Sequence, residues 1–259
     1  MSTRFALVRR PSPRLAEGIV THREREVVDV PKAMAQWDGY VTTLQDNGWH
    51  TIEVPPADDC PDSVFVEDTM VVYRSVAVIA RPGAPSRRPE TAAAEEIVED
   101  LGYAIGRIHP PGTLDGGDVL KVGSTIYVGH GGRTNAEGIR QLRGILEPLG
   151  ATVVAVPVTK VLHLKSAVTA LPDGTVIGYL PIVDDALIFD RFIPVPEESG
   201  AHVVLLDEGR LLISTDCPAS ADLLAGLGYR PVPVDIGEYL KLEGCVTCLS
   251  VRLRDVPAG

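Results

Sequence analysis

Two cysteines three positions apart, Cys245 and Cys248, stand in the stretch Leu242-Glu243-Gly244-Cys245-Val246-Thr247-Cys248-Leu249-Ser250. C-x-x-C is the usual spacing of zinc sites and redox pairs alike. From Val246 onward, however, the β-branched residues and partial alternation predict a short strand. Side chains alternate faces along a strand, so positions three apart point to opposite sides. Unless Gly244 introduces a bulge, the two sulfurs then cannot share a metal or a disulfide. One thiol is left facing something useful, and it is taken to be Cys248; the plainer alternative is a buried structural cysteine.

Other chemistry-bearing residues are scattered along the chain. Asp62, Glu67 and Asp68 put three carboxylates into seven residues, where a strand over 63–66 would set apolar side chains beneath them; a solvated turn is the plainer reading. Asp115 and Asp118 flank Gly116-Gly117, a pair that permits backbone shapes other residues resist. His163 lies between two leucines at the head of an apolar hairpin, a place where a polar ring needs partners. The remaining histidines form no cluster with metal-ligand spacing. Arg87, within 81–88, and Arg133, within 131–135, precede predicted helices. Arginine forks match carboxylates. A thiol, an imidazole, several acids and two arginines together describe a pocket for a zwitterion with a cation at its far end.

The elements that must bring these residues together follow from a repeat. Asp29-Val30-Pro31 reads as a capped helix start; Met34, Trp37, Val41 and Leu44 follow at helical spacing, Gly48 ends the helix, and 49–54 reads as a strand. The same helix–Gly–strand order recurs at Gly102, Gly150 and Gly228, with spacings of 54 (102 − 48), 48 (150 − 102) and 78 (228 − 150) residues. Glycine suits the left-handed residue that ends a helix. The longest gap is expected to span a degenerate copy with a short helix around 184–192. Hairpin-like pairs at 69–80, 119–128, 167–178 and 203–213 lie between the helical units. Five strand–strand–helix–strand copies therefore predict an α/β chain closed into a propeller-like ring, an ordinary α/β sandwich being the alternative. No composition shift marks a boundary, so one domain over 1–259 is expected.

Composition limits the function classes. The chain has 259 residues, 45% of them apolar, and a formal net charge of −11. The charge opposes binding to nucleic acid or an anionic membrane and leans towards a cationic small molecule. No apolar run approaches the roughly 18 residues of a membrane span, and the first ten residues carry too short an apolar patch for a secretory signal. Four cysteines do not make a disulfide scaffold, which points to a reducing cytoplasm.

The assembled motifs, 62–68, 81–88, 114–118, 129–135, 162–165 and 246–250, resemble those of the dimethylarginine dimethylaminohydrolases of the guanidino-modifying (pentein) superfamily, over essentially the whole chain. The resemblance implies a five-bladed ββαβ propeller. It also implies Cys248 as nucleophile, His163 as acid and base, and Asp115 as the group that orients His163 and touches a guanidinium. Glu67 and Asp68 would hold the guanidinium, Asp62 and the carbonyl of Ile19 the α-amino group, and Arg87 and Arg133 the α-carboxylate; Leu242 would line the pocket. The implied reaction converts N-ω-methylated arginines to citrulline and a methylamine through a covalent thiouronium, with no metal or organic cofactor. Family members range from monomers to dimers, so a homodimer is one expectation. Cys245 has no family role and is read as structural or modulatory. Hydrolysis of another guanidino compound such as free arginine, non-enzymatic binding of an arginine-like ligand, and a zinc or redox module at the two cysteines are the competing readings.

Overall fold

A computed structural model describes residues 4–254, 256 and 257. Its strands form five separate three-stranded sheets on one plan, an antiparallel hairpin whose second strand accepts a parallel third. Met70–Tyr73 and Val76–Ile79 pair with Ala104–Arg107, and Val119–Val122 and Thr125–His130 with Thr152–Pro157. Val168–Ala170 and Val176–Gly178 take Phe192–Pro194, while Val204–Leu205 and Arg210–Ser214 take Arg230–Val234. The remaining sheet joins the two ends of the chain: Val251–Leu253 runs antiparallel to Phe5–Val8, which pairs in parallel with His50–Glu53.

Four helices carry the parallel crossovers: α1 (Val30–Asp46), α2 (Thr91–Asp100), α3 (Ala136–Leu146) and α4 (Pro218–Gly226). α1 starts where Asp29 accepts a hydrogen bond from the Lys32 N–H, with Pro31 in the first turn. It buries Ala33, Trp37, Tyr40 and Leu44 at three- and four-residue spacing. The glycine that follows each crossover helix (48, 102, 150 and 228) has φ between 81° and 93°, as the sequence pattern requires.

The ring closes through side chains. Each of five apolar clusters joins neighbouring sheets: Leu7, Val251 and Leu253 meet Met70, Ala77 and Ile79; Val71 and Val78 meet Val119 and Ile126. Leu120 and Tyr127 meet Val168 and Val176, Ile177 meets Leu211 and Ile213, and Val204 and Leu212 return to Ala6 and Val8. The expected five-bladed α/β propeller is the architecture observed.

Three local expectations are corrected. Around 184–192 there is no α-helix, only 3-10 turns at Leu180–Ile182 and Ala186–Ile188. Asp185 closes a local bond on the Leu187 N–H, which competes with helix, and Phe189 fills the space against Tyr127 with ring centroids 5.0 Å apart. Residues 63–66 form turns rather than a strand, leading into a 3-10 segment Val66–Thr69. Residues 246–249 are likewise a turn, and the last strand starts only at Val251. No helix among the described residues is long and apolar enough to cross a membrane.

Candidate active site

The turn that holds Cys248 owes its shape to distant partners. Tyr40 donates its hydroxyl to the Val246 carbonyl at 2.9 Å, Arg252 Nη1 donates to the Thr247 carbonyl at 2.7 Å, and the Cys248 carbonyl accepts from the Glu67 N–H at 3.1 Å. With its carbonyls so occupied, the segment has no sheet ladder to join. Instead the Cys248 N–H bonds back to the Cys245 carbonyl at 3.0 Å, and both sulfurs fall on the same side, 3.2 Å apart. The strand expectation, which placed them on opposite faces, is overturned. A hydrogen bond between the sulfurs lowers the pKa of Cys245 and raises that of Cys248. One negative charge is shared favourably at this distance and a second is strongly opposed.

His163 is buried at the start of a 3-10 turn. Its Nε2 lies 3.0 Å from Asp115 Oδ2 and its Nδ1 3.8 Å from Asp68 Oδ1. Burial opposes the charged imidazole, but Asp68, Asp115 and Asp118 outweigh it and raise the pKa to about 9, so the ring is cationic at neutral pH. Burial also pushes Asp68 upward, yet the His163 and Arg87 charges prevail and hold it at about 2. Asp118 is raised to about 6, chiefly by burial; it accepts from Thr134 Oγ1 at 2.6 Å and from the Leu164 N–H at 3.0 Å. The glycine pair lets these acids converge. The Gly117 N–H donates to Asp68 Oδ1 at 2.8 Å, and a Cβ there would sit 2.6 Å from both Asp68 Oδ1 and His163 Nδ1.

Cys248 and His163 line one cavity of about 10 Å³ together with Ile19, Asp62, Asp68, Arg87, Arg133 and Leu242. Asp115 stands behind His163, its Oδ1 held by the Gly83 N–H at 2.9 Å. Glu67 is absent from the cavity wall. It accepts from Lys165 at 2.7 Å, Arg252 at 2.5 Å and Thr247 at 2.9 Å, so it braces the cysteine turn from beneath.

The two arginines differ in the same way. Arg87 is spent on Glu90, on Asp68 and on the carbonyls of Asp62 and Phe65. Arg133 Nη1 is buried without a hydrogen-bond partner, 3.7 Å from Asp115 Oδ2. At the same end, Asp62 accepts from the N–H of Ile19 at 2.9 Å, and its pKa is raised by burial. Outside lies a hollow of about 210 Å³ that shares Leu162, Glu243 and Gly244 with the cavity. The exposed segment 21–27 borders this hollow through His22 and Arg23 and is fastened where Glu243 accepts from the N–H groups of Thr21 (2.8 Å) and His22 (2.5 Å).

The arginine deiminase family model matches residues 36–211. The N(G),N(G)-dimethylarginine dimethylaminohydrolase of Streptomyces coelicolor is 68% identical over 256 residues, covering 99% of both chains. The chain belongs to the dimethylarginine dimethylaminohydrolase family. That of Pseudomonas aeruginosa is 37% identical, covering 95% of this chain and 98% of its own. Its crystal structure as a cysteine-to-serine mutant complexed with citrulline superposes with a TM-score of 0.90 at 35% identity, covering 98% of this chain and all of that one. In this dimethylarginine dimethylaminohydrolase chain, sequence reasoning passed over Thr247, Arg252 and the role of Lys165, which together occupy Glu67. It named Asp118 and Glu243 but gave neither a role, whereas Asp118 holds the Leu164 N–H beside His163 and Glu243 holds the N–H groups of Thr21 and His22. No local signal reveals them: Glu67 and Arg252 are 185 positions apart.

Proposed function

We propose that this protein hydrolyses N-ω-methylated arginines to citrulline and the corresponding methylamine, with Cys248 as nucleophile and His163 as acid and base. The observation that carries the reading is one cavity wall bearing a thiol and a cationic imidazole, with an unpartnered arginine nitrogen and a carboxylate beside it. Arg133 Nη1 receives the α-carboxylate, and Asp62 the α-amino group. Asp68 keeps lone pairs for the guanidinium beyond those used by Arg87 and Gly117.

A guanidinium is a poor electrophile because resonance spreads its charge. The acids fix its plane over the sulfur and balance the charge. The Cys248 thiolate adds to the central carbon, the bond to the methylated nitrogen breaks, and that nitrogen leaves with the proton held by His163. Now neutral, the imidazole takes a proton from water, which attacks the thiouronium carbon and expels the sulfur, leaving citrulline. A volume of about 10 Å³ holds roughly one water, so substrate enters as the exposed segment 21–27 swings from Glu243.

The test is a citrulline assay with dimethylarginine, monomethylarginine and free arginine, alongside Cys248→Ser and His163→Gly. The methylated substrates are expected to be turned over and both variants to be inert. Turnover of arginine alone would reassign the substrate, and near-normal citrulline formation by His163→Gly would remove its role.

A further inference from the structure

The second thiol has no part in that reaction, yet it sits 3.2 Å from the first. Cys248 opens onto the cavity, whereas Cys245 is 2% exposed and does not line it. The Cys248 N–H to Cys245 carbonyl bond closes a four-residue turn, which holds the two Cα atoms within about 7 Å, inside the span of a disulfide. Modest side-chain rotation therefore suffices to join the sulfurs. Every other described cysteine is elsewhere and buried: Cys60 lies 3.9 Å from the Ser86 carbonyl and Cys217 3.2 Å from the Ser214 carbonyl.

We propose that Cys245 and Cys248 form a peroxide-reactive dithiol, in which a small hydroperoxide oxidises Cys248 and Cys245 resolves it to a reversible disulfide. The Cys248 sulfur attacks the nearer peroxide oxygen as its proton passes to Cys245 across the 3.2 Å contact; the O–O bond breaks, the sulfenic acid forms, and the leaving oxygen takes that proton and departs as water or alcohol. Cys245 sulfur then attacks the sulfenic sulfur, the S–O bond breaks, and a second water leaves. Two electrons pass from the sulfurs to the peroxide, and both thiol protons end in the released products. Cys245 thus shields the nucleophile from irreversible over-oxidation, while the disulfide withdraws it from catalysis.

The experiment treats the reduced full-length protein with hydrogen peroxide and maps the tryptic peptide containing both cysteines by mass. The wild type is expected to lose two hydrogens from that peptide and two titratable thiols, both restored by dithiothreitol. The Cys245→Ser variant, given the same excess, is expected to gain two oxygens at Cys248, which dithiothreitol does not remove. Oxygen gained at Cys248 in the wild type with Cys245 still free, or a disulfide involving Cys60 or Cys217, overturns the proposal. Should Cys245→Ser not fold, the wild-type peptide decides alone. Thiols and masses are read without turnover, so failure here is distinguishable from failure of the hydrolase reading.

Discussion

At the scale of single residues, similar side chains do different work according to what already occupies them. Arg87 has no spare capacity, since its charge is balanced by Asp68 and Glu90. Removing one partner of a buried ion pair costs about 3–5 kcal/mol, so Arg87→Ala is expected to lower the urea midpoint severely. Arg133 has a buried nitrogen without a partner. Arg133→Ala is expected to lower that midpoint less than Arg87→Ala, since it leaves one buried carboxylate, Asp115, rather than two without its cation, and to raise KM for methylarginines about 10- to 100-fold, the worth of a charge-assisted hydrogen bond; an unchanged KM would remove it from the site. The sulfur pair makes a further prediction. A second negative charge is opposed beside Cys245, so an arriving guanidinium should ease ionisation of Cys248. The pH midpoint for inactivation by a thiol reagent is expected to fall when a substrate-like cation is present, and equal midpoints would sink the idea. The residue types of this site were legible in the sequence. The occupancy of Glu67 and Arg87 was not, because their partners lie on other blades or in turns with no periodic signature.

At the scale of elements, four crossover helices were read well, while the fifth, expected around 184–192, is absent and the turns were read poorly. Apolar periodicity and a terminal glycine are local signals, and they placed α1 to α4. The segments 63–66 and 246–249 have strand-like composition, but their carbonyls are taken: Arg87 donates to Phe65 and Thr69 to Val66 in the first, and Tyr40, Arg252 and the Glu67 N–H donate to Val246, Thr247 and Cys248 in the second. Helix α3 offers a paired test of local against tertiary control. Gly144 has nothing within 4 Å of a built Cβ, so Gly144→Ala should stabilise the protein by about 0.5–1 kcal/mol through helix propensity. A Cβ on Gly138 runs into the Thr113 carbonyl oxygen, so Gly138→Ala should destabilise by about 1–3 kcal/mol through overpacking. Chemical denaturation of both variants checks the pair; equal effects would mean that helix propensity alone decides.

At the scale of the molecule, a ring closed by side-chain packing carries a cluster of buried charges. The His163 pKa is raised from 6.5 to about 9. A basic group whose folded pKa is raised gives stability that is complete below its unfolded value and lost as pH climbs through the folded one. The wild-type advantage over His163→Asn in urea is therefore expected to be greatest below pH 6.5 and to shrink as pH rises through about 9. A gap that widens over this window would mean that the imidazole is buried neutral. Turnover should fail over the same upper limb, since the leaving amine loses its proton donor.

What the sequence determined by itself was the repeat and the four crossover helices, because helix periodicity and glycine conformation act over a few residues. Only the tertiary structure decided which acids and arginines remain available and that two thiols meet. Those outcomes depend on bonds between segments up to some two hundred positions apart, such as that from Tyr40 to Val246, and no short-range pattern encodes them.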